Sequence, residues 1–401
     1  MFAQVDFGKH ARHAAAVIGG AMLLASPLAV AAQDATPGAP PPGPPPFVVP
    51  AGCTSVAKDL INPRGLFVTA DGTLYIAEAG NGGEVGDFGT PVVGTPSPDP
   101  VTSHGDTGRI SMVAADGTQS VVADGLTSYV FGSEVVGPAG VAVAADGTIY
   151  AAIGGPGPNT AAFPPAGLAD HVVSIDAKTG AATSVADIGS YERENNPDPN
   201  AVDSNLSAIA IAADGSLYVA DAGGNVVYKV DPATGTIAVL AVIPGLPSAN
   251  GEANPERGGK AEIDPVPTSL VADPSGGVYV GLLTGAGLWG VPGSAKILHI
   301  AEDGTITDTA TGLHMTVGIA MAADGTWYAT TFSANLFAEM PEPGYVSKIG
   351  ADGTPEQVVP GLFLAYGLAF GPDGSLYVAA FASTPPGTPG MGQVLKCAMG
   401  M

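Results

Sequence analysis

The sequence predicts an all-β protein, a six-bladed β-propeller, and three observations support this prediction. A short unit recurs six times: a small residue, an apolar run, a tight turn and a second apolar strand that contains a tyrosine. A further hairpin follows the copies. The 58 Gly and 37 Pro residues, with only 12% charged residues, are typical of a turn-dense β protein. A supersecondary unit that recurs with insertions between its copies indicates a radial arrangement.

Each copy of the repeated unit predicts one β-hairpin. An Asp-Gly pair between two apolar runs favours a hairpin because the turn needs a positive φ, which glycine adopts easily. The following hairpin completes a four-stranded antiparallel sheet, which is a propeller blade. The tyrosines are expected to pack between blades, and the turn aspartates are expected to bond their own backbone. The six tyrosines are Tyr75, Tyr150, Tyr218, Tyr279, Tyr328 and Tyr377.

The ring is expected to close with an N-terminal strand that completes the last blade. The C-terminal end leaves that blade one strand short, and Cys53–Leu60 aligns with Pro355–Leu362, the outer strand of the preceding blade. On this alignment Cys397 corresponds to Ile349, so it faces Cys53 across a hairpin. Opposed residues of antiparallel strands lie within disulfide reach. The sequence therefore predicts a Cys53–Cys397 disulfide.

The N-terminal region predicts export. Residues 1–32 have the features of a signal peptide: Lys9 and Arg12 precede an apolar run, and Ala29-Val30-Ala31 offers small residues for cleavage. Residues 33–51 form a proline-rich linker, and residues 52–401 form the propeller. No later apolar run is long enough to span a bilayer. We expect an extracytoplasmic monomer, either secreted or in the cell envelope.

Charge and loop lengths limit the kind of partner. The formal net charge of −24 excludes nucleic acid as a natural partner, because phosphate binding needs a basic surface. Turns inside the hairpins are short, whereas connections between hairpins are long, and the two sets lie at opposite ends of the strands. We call these ends the plain face and the long-loop face. Binding residues concentrate on loops, so the long-loop face is expected to bind an unknown small molecule or extracellular component. The candidate ligand-binding residues are Arg64, Glu192, Asn196 and His314.

Acidic residues near the expected channel mouth suggest a cation. Glu78 and Asp221 stand three positions after the repeat tyrosine in two of the blades, and Asn205 is close to Asp221 in sequence. Carboxylate and carboxamide oxygens are the ligands that Ca²⁺ prefers. The same groups could instead satisfy their own loop backbone. No catalytic motif is present, so no catalytic residue is predicted.

Several blocks of the chain resemble the ScyD/ScyE family of exported, propeller-like proteins, which are associated by name with production of the pigment scytonemin. The resemblance covers nearly all of residues 62–396, and its blocks are NPRGLFVTADGTLYIAEAGNGG, YERENNPDP followed by DSN, DAGGN, VPTSLVADPSGGVYVGLLTG and GQVLKC. It is closer than the likeness to NHL-repeat and gluconolactonase-like propellers. Departures include Ala-Asp-Gly for Pro-Asp-Gly in four blades. The resemblance implies fold and export, without a catalytic constellation.

Two functions remain open from the sequence. The first is an exported, non-catalytic binding or scaffold propeller of the ScyD/ScyE type. The alternative is a calcium-dependent lactonase-like hydrolase, in which Glu78, Asn205 and Asp221 hold a Ca²⁺ ion that polarises a carbonyl. A quinone-dependent sugar dehydrogenase is less favoured because few basic residues are expected near the long-loop face.

Overall fold

The computed structural model describes residues 47–85, 101–131, 134–157, 167–200, 202–254, 257–338, 340–383 and 390–399. The predicted signal peptide and residues 33–46 of the predicted linker lie outside the described residues, as do parts of three long loops, residues 86–100, 158–166 and 384–389. The described chain forms six antiparallel sheets, and the first strand of each contacts the first strands of its two neighbours in a closed ring. The predicted six-bladed β-propeller is confirmed.

Blades 1 to 3 follow the order of the chain after one initial strand that belongs to blade 6. That strand is β1 (Cys53–Leu60). Blade 1 contains β2 (Pro63–Val68), β3 (Leu74–Glu78), β4 (Glu84–Val85), β5 (Val101–Val113), β6 (Gln119–Phe131) and β7 (Glu134–Val136). Blade 2 contains β8 (Pro138–Val143), β9 (Ile149–Ile153), β10 (His171–Ile175) and β11 (Ala182–Asp187), followed by helix α1 (Ile188–Asn195). Blade 3 contains β12 (Leu206–Ile211), β13 (Leu217–Asp221), β14 (Val226–Val230) and β15 (Ile237–Val242).

Blades 4 to 6 complete the ring. A two-stranded sheet of β16 (Leu246–Pro247) and β17 (Glu262–Ile263) precedes blade 4. Blade 4 contains β18 (Pro267–Ala272), β19 (Val278–Leu282), a 3-10 turn (Ala286–Leu288), β20 (Ala295–Ile300) and β21 (Ile306–Leu313). Blade 5 contains β22 (Thr316–Met321), β23 (Trp327–Asn335), β24 (Glu342–Ile349) and β25 (Pro355–Leu362). Blade 6 contains β26 (Leu368–Phe370), β27 (Leu376–Ala380), β28 (Gly392–Cys397) and β1. None of the described helices has the length and apolarity needed to cross a membrane.

The ends of the chain meet in blade 6 as predicted. Strand β1 pairs with β28 in antiparallel register, with Cys53 opposite Cys397. The two cysteines form a disulfide with a Cα–Cα distance of 4.0 Å. The equivalent positions of blade 5, Ile349 and Pro355, are also paired, which confirms the alignment behind the prediction. A structural disulfide is typical of proteins that mature in an oxidising compartment.

The residues just before β1 run along the outside of blades 5 and 6. The Phe47 ring lies 4.8 Å from the Phe381 ring, and Phe381 lies 5.5 Å from Phe363. Phe363 directly follows β25 and Phe381 directly follows β27, so both stand at the long-loop face. Cys53 is at the opposite end of blade 6, because it is paired at the end of β28. The segment therefore crosses the height of the ring between Phe47 and Cys53.

The small residue that opens each repeat lets neighbouring first strands pack closely. A Cβ atom at Gly65 would lie 2.6 Å from the carbonyl oxygen of Ala139, in the next blade. At Gly367 it would lie 2.1 Å from the carbonyl oxygen of Arg64, where the last blade meets the first. Real Cβ atoms do not approach other atoms this closely, so larger residues would separate the blades.

The repeat tyrosines pack against the following blade, as expected. Tyr218 of blade 3 lies in one cluster with Val278 and Val280 of blade 4, and Tyr377 of blade 6 lies with Leu74 of blade 1. The core is therefore made of apolar layers between blades. On the plain face, the turn aspartates accept backbone N–H groups two residues later, as in the 2.9 Å bond from Thr148 N–H to Asp146.

Blade 1 differs from the others at the long-loop face. Its strands β5 and β6 have 13 residues each, whereas the corresponding strands β10 and β11 of blade 2 have 5 and 6. The two long strands extend past the edge of the blade, and β7 pairs with the end of β6 and returns towards the channel. This extension was not predicted, and it places Glu134 and Val135 beside the channel mouth.

Candidate ligand site at the channel mouth

The first strands of the six blades enclose a narrow central channel. Its cavity has a volume of about 60 Å³. The cavity walls come from residues 65–66, 139–141, 207–209, 268–270, 317–319 and 366–368. No residue of this set carries a charge, so the channel itself offers backbone, hydroxyl and apolar groups.

Charged groups appear at the long-loop end of the channel. A second cavity, of about 20 Å³, is lined there by Arg64, Glu134, Asn205 and Tyr366, together with small and aliphatic residues. A space of this size holds about one water molecule. The four polar side chains come from blades 1, 3 and 6 and from the strand β7, so the fold brings together residues that are far apart in sequence.

Arg64 is the cation of this channel mouth. It follows Pro63 at the start of β2, and its side chain is only 4% exposed. One Nη donates a hydrogen bond of 3.0 Å to the carbonyl oxygen of Val135, and the guanidinium carbon lies 4.7 Å from the centre of the Tyr366 ring. A guanidinium has five N–H donors in a planar fork. Arg64 is therefore held in place and can still donate to an oxygen in the cavity.

Glu134, Asn205 and Tyr366 complete the polar lining. The side-chain amide of Asn205 donates to Glu134 across 3.5 Å. Burial raises the pKa of Tyr366, so its hydroxyl stays protonated at neutral pH. The mouth thus combines guanidinium and phenol donors with carboxylate and carboxamide acceptors. This arrangement can bind a molecule that presents a carbonyl or carboxylate oxygen to Arg64 and a hydroxyl hydrogen to Glu134.

The structure gives Glu78 a structural environment. Its side chain is completely buried at the end of β3. One carboxylate oxygen accepts from Arg109 Nε at 2.8 Å and from the Ser111 hydroxyl, and the other accepts from the backbone N–H of Ile61 at 2.6 Å. Both oxygens of Glu78 are thus engaged by protein donors within blades 1 and 6.

Asp221 and Asn205, the other two candidate metal ligands, are in contact with each other. One oxygen of Asp221 accepts backbone N–H groups from Asn205 at 2.8 Å, from Gly223 at 3.1 Å and from Gly224 at 3.0 Å. The other accepts from the Ser204 hydroxyl at 2.7 Å. Burial is the main reason why the pKa of Asp221 rises to about 6. The carboxylate fastens the connection into β12 to the end of β13.

The candidate calcium ligands do not form one coordination shell. Asn205 and Asp221 are adjacent, but the oxygens of Glu78 and Asp221 are occupied by separate sets of protein donors. Among the described residues there is no group of three or more His, Cys, Asp or Glu side chains arranged to hold a metal ion. The residues that the sequence nominated therefore do not fit a Ca²⁺ ion in this arrangement, and no chemical step is derived through one.

Two candidate ligand residues, Glu192 and Asn196, belong to helix α1. Glu192 is fully buried and accepts a hydrogen bond of 2.6 Å from the hydroxyl of Tyr228. Burial, followed by the nearby charge of Asp221, raises the pKa of Glu192 to about 8. Asn196 ends the helix in a left-handed conformation, with φ 41°, and its N–H donates to the carbonyl of Glu192 at 2.8 Å. Both residues support the loop that carries them and lie outside the two channel cavities.

His314 lies away from the channel mouth. It directly follows β21, it is 8% exposed, and it is absent from the lining of both channel cavities. Burial lowers the pKa of His314, although the nearby backbone of Val291 and Ala334 opposes this effect. The imidazole is therefore neutral at pH 7. Of the four candidate ligand residues, the structure places only Arg64 at the mouth.

Sequence reasoning missed Glu134 and Tyr366. Both stand at the entry to or near the first strand of a blade, in segments with no recurring feature beyond the small residue that follows. An aromatic ring at position 366 and a lone acid in an apolar stretch are weak signals by themselves. Only the closed ring shows that they meet Arg64.

Comparisons with known proteins support the propeller fold. No known protein family matches the chain, and no curated protein sequence matches it. The structure is similar to a protein of unknown function from Bacteroides thetaiotaomicron, with 13% identity, coverage of 86% of this chain and 75% of that chain, and a TM-score of 0.51. It is also similar to a Thermus thermophilus protein assigned as an oxidoreductase (glucose dehydrogenase), with 18% identity, 86% and 99% coverage, and a TM-score of 0.50. A gluconolactonase from Xanthomonas campestris matches with 14% identity, 86% and 89% coverage, and a TM-score of 0.47.

These similarities define the class of the protein as a β-propeller. Its described blades, its disulfide and its ring closure agree with that class. The resemblance to the ScyD/ScyE family remains a prediction from the sequence, since no family matches the chain.

Proposed function

We propose that this protein is an exported, non-catalytic binding propeller of the ScyD/ScyE type, which holds a small polar molecule at the channel mouth. The observation that carries the proposal is the convergence of Arg64, Glu134, Asn205 and Tyr366 on one cavity at the long-loop face. A buried guanidinium that retains donors is a strong and selective anchor for a carbonyl or carboxylate oxygen. The predicted signal peptide and the disulfide support the export part of the proposal.

A binding role is favoured over hydrolysis by the chemistry of the mouth. Hydrolysis of the lactonase kind needs an activated water, which a metal ion or a general base supplies. The carboxylates nominated for that role, Glu78 and Asp221, are instead saturated by hydrogen bonds from the protein. The calcium-dependent hydrolase therefore stays the second candidate.

The two candidates can be separated with D-glucono-1,5-lactone and D-gluconate as probes. The proposal expects at least one of them, or of a panel of small sugar acids, to raise the melting temperature by mass action. The same probe should leave Arg64→Met unchanged while still stabilising Arg193→Met, a matched control because Arg193 is exposed on α1. Lactone hydrolysis that requires Ca²⁺ and stops with a chelator would contradict the proposal and favour the hydrolase. A shift that survives in Arg64→Met would remove Arg64 from the site.

A further inference from the structure

A group of buried acids lies behind the channel mouth, and no ion pair satisfies one of its members. Asp170 directly precedes β10 and is 4% exposed, and its Oδ1 has no hydrogen-bond partner among the described residues. A buried carboxylate without a partner is costly, so such groups are normally paired, metal-bound or protonated. Asp170 therefore requires an explanation.

The position of Asp170 is fixed by its own backbone and by two glycines. Its carbonyl oxygen accepts the N–H groups of Ile188 and Gly189, at 3.0 Å and 3.1 Å, at the start of α1. A Cβ atom at Gly155 would lie 2.3 Å from the Asp170 carboxyl, and one at Gly189 would lie 3.0 Å from its Cβ. The loop before residue 158 and the helix thus close over the carboxyl group.

The hydroxyl of Ser204 connects Asp170 to Asp221. The Ser204 side chain is fully buried and donates its hydrogen to Asp221 at 2.7 Å. The carboxyl of Asp170 is also within hydrogen-bonding reach of that hydroxyl. A serine hydroxyl has one hydrogen to donate. Towards Asp170 the serine oxygen can therefore only accept, and Asp170 can supply a hydrogen only if it is protonated.

Asp221 is the member of the pair that is suited to carry the charge. It accepts three backbone N–H groups and the serine hydroxyl, which stabilise an ionised carboxylate. Asp170 lacks such donors. The groups whose charges act on Asp170 are acids, and the nearby His171 faces Asp187 at 3.7 Å. Arg257 is engaged elsewhere, with Asp198 at 2.7 Å and Asp264 at 3.1 Å. The titratable groups that surround Asp170 are Asp187, Asp203, Asp221, His171 and Tyr129.

We propose that Asp170 and Asp221 share one proton through the hydroxyl of Ser204, with Asp170 as the neutral acid and Asp221 as the carboxylate. The hydrogen-bond chain then runs from the Asp170 hydroxyl to the serine oxygen, and from the serine hydroxyl to Asp221. Burial and the neighbouring carboxylates raise the pKa of Asp170 well above its ordinary value, and burial raises the pKa of Asp203 to about 7, which agrees with this assignment.

The shared proton makes the long-loop face sensitive to alkaline pH. When Asp170 loses its proton, one serine hydrogen cannot serve two carboxylates, and the two charges repel each other. The connection that contains Ser204 also carries Asn205, which lines the channel mouth. Deprotonation is therefore expected to displace Asn205 and weaken ligand binding, a consequence that rests on the proposed function, whereas the protonation of Asp170 does not.

The test compares the wild type with Asp170→Asn, which keeps the shape and a hydrogen for the serine oxygen but cannot ionise. Infrared spectra at pH 7 should show a protonated carboxyl band in the wild type that is lost in Asp170→Asn and kept in Asp176→Asn, a control in an exposed turn. Between pH 6 and 9, the fall in melting temperature should be smaller for Asp170→Asn than for the wild type and the control.

Three outcomes would overturn the proposal. The first is an unchanged carboxyl band in Asp170→Asn, and the second is an equal alkaline fall in both proteins. The third is a rise in the wild-type melting temperature with Ca²⁺ at pH 8 that Asp170→Asn lacks, because a cation would then occupy the place of the proton. Should Asp170→Asn fail to fold, carboxyl-carbon NMR of the wild type decides whether an aspartic acid keeps its proton above pH 7. Failure of probe binding with an intact carboxyl band would refute the proposed function alone.

Discussion

Removal of the Cys53–Cys397 disulfide tests how much of the stability of the ring depends on its closure. The proposed perturbation replaces both cysteines by alanine, since a single substitution would leave a reactive thiol. Strand β1 should still pair with β28, because Ala57 and Leu60 on β1 are buried and Val394 on β28 packs with them. The variant should therefore fold into the same ring with lower stability.

The expected magnitude follows from the length of chain that the bond closes. The two cysteines are separated by 344 residues. The chain-entropy relation gives about 6 kcal/mol for such a loop, and measured disulfide contributions are more often about 2–4 kcal/mol. The effect acts mainly on the unfolded chain, which gains freedom when its ends are released. We expect the double variant to lose about 2–6 kcal/mol of unfolding free energy.

Urea denaturation followed by tryptophan fluorescence measures this loss. The wild type should shift to the variant's midpoint when a reductant is added, whereas the double variant should be insensitive to reductant. A difference below about 1 kcal/mol would refute the reasoning, because the constraint on the unfolded state would then be negligible. A variant that no longer folds would show that β1 needs the bond to dock at all.

Three further predictions concern single residues. Glu78→Gln should lower stability by about 3 kcal/mol in urea denaturation, because the amide places a donor against Arg109, and a chelator should change neither protein; a chelator effect confined to the wild type would favour a metal role. Glu192 has a pKa of about 8 in the folded protein against an ordinary 4.5, so the wild type should lose stability as pH rises from about 4.5 to 8, and thermal melts of Glu192→Gln should decline less; parallel curves would contradict this sign. Gly367→Ala should lower the urea midpoint by the equivalent of about 1–3 kcal/mol because its Cβ meets a carbonyl oxygen at 2.1 Å, whereas Gly290→Ala, with no atom within 4 Å, should be neutral.

Features that repeat in the sequence could be predicted accurately. Six tyrosines in equivalent positions indicated the number of blades, and the alignment of Cys53–Leu60 with Pro355–Leu362 indicated the register of the closing strand. Both inferences depend only on a repeated local pattern, in which each strand pairs with its neighbour in the chain. The disulfide followed from that register.

The candidate site could be predicted only in part, since its residues come from segments that do not repeat. Glu78 and Asp221 were correctly singled out as unusual, but their partners lie in other loops and could not be read from their spacing. The 13-residue strands of blade 1 and the return strand with Glu134 depend on contacts between distant segments. The orphaned carboxyl of Asp170 is visible only when burial is known.

The contact between Phe47 and Phe381 sets the direction in which the protein faces. The chain reaches its first described residue on the same side as the channel mouth and only then runs down the outside of the ring to Cys53. Any attachment made through the amino-terminal part of the chain would therefore turn the mouth towards the anchoring surface and the acidic hairpin turns towards the medium. A molecule delivered from that surface would meet Arg64 first, while one arriving from outside would have to pass around the rim.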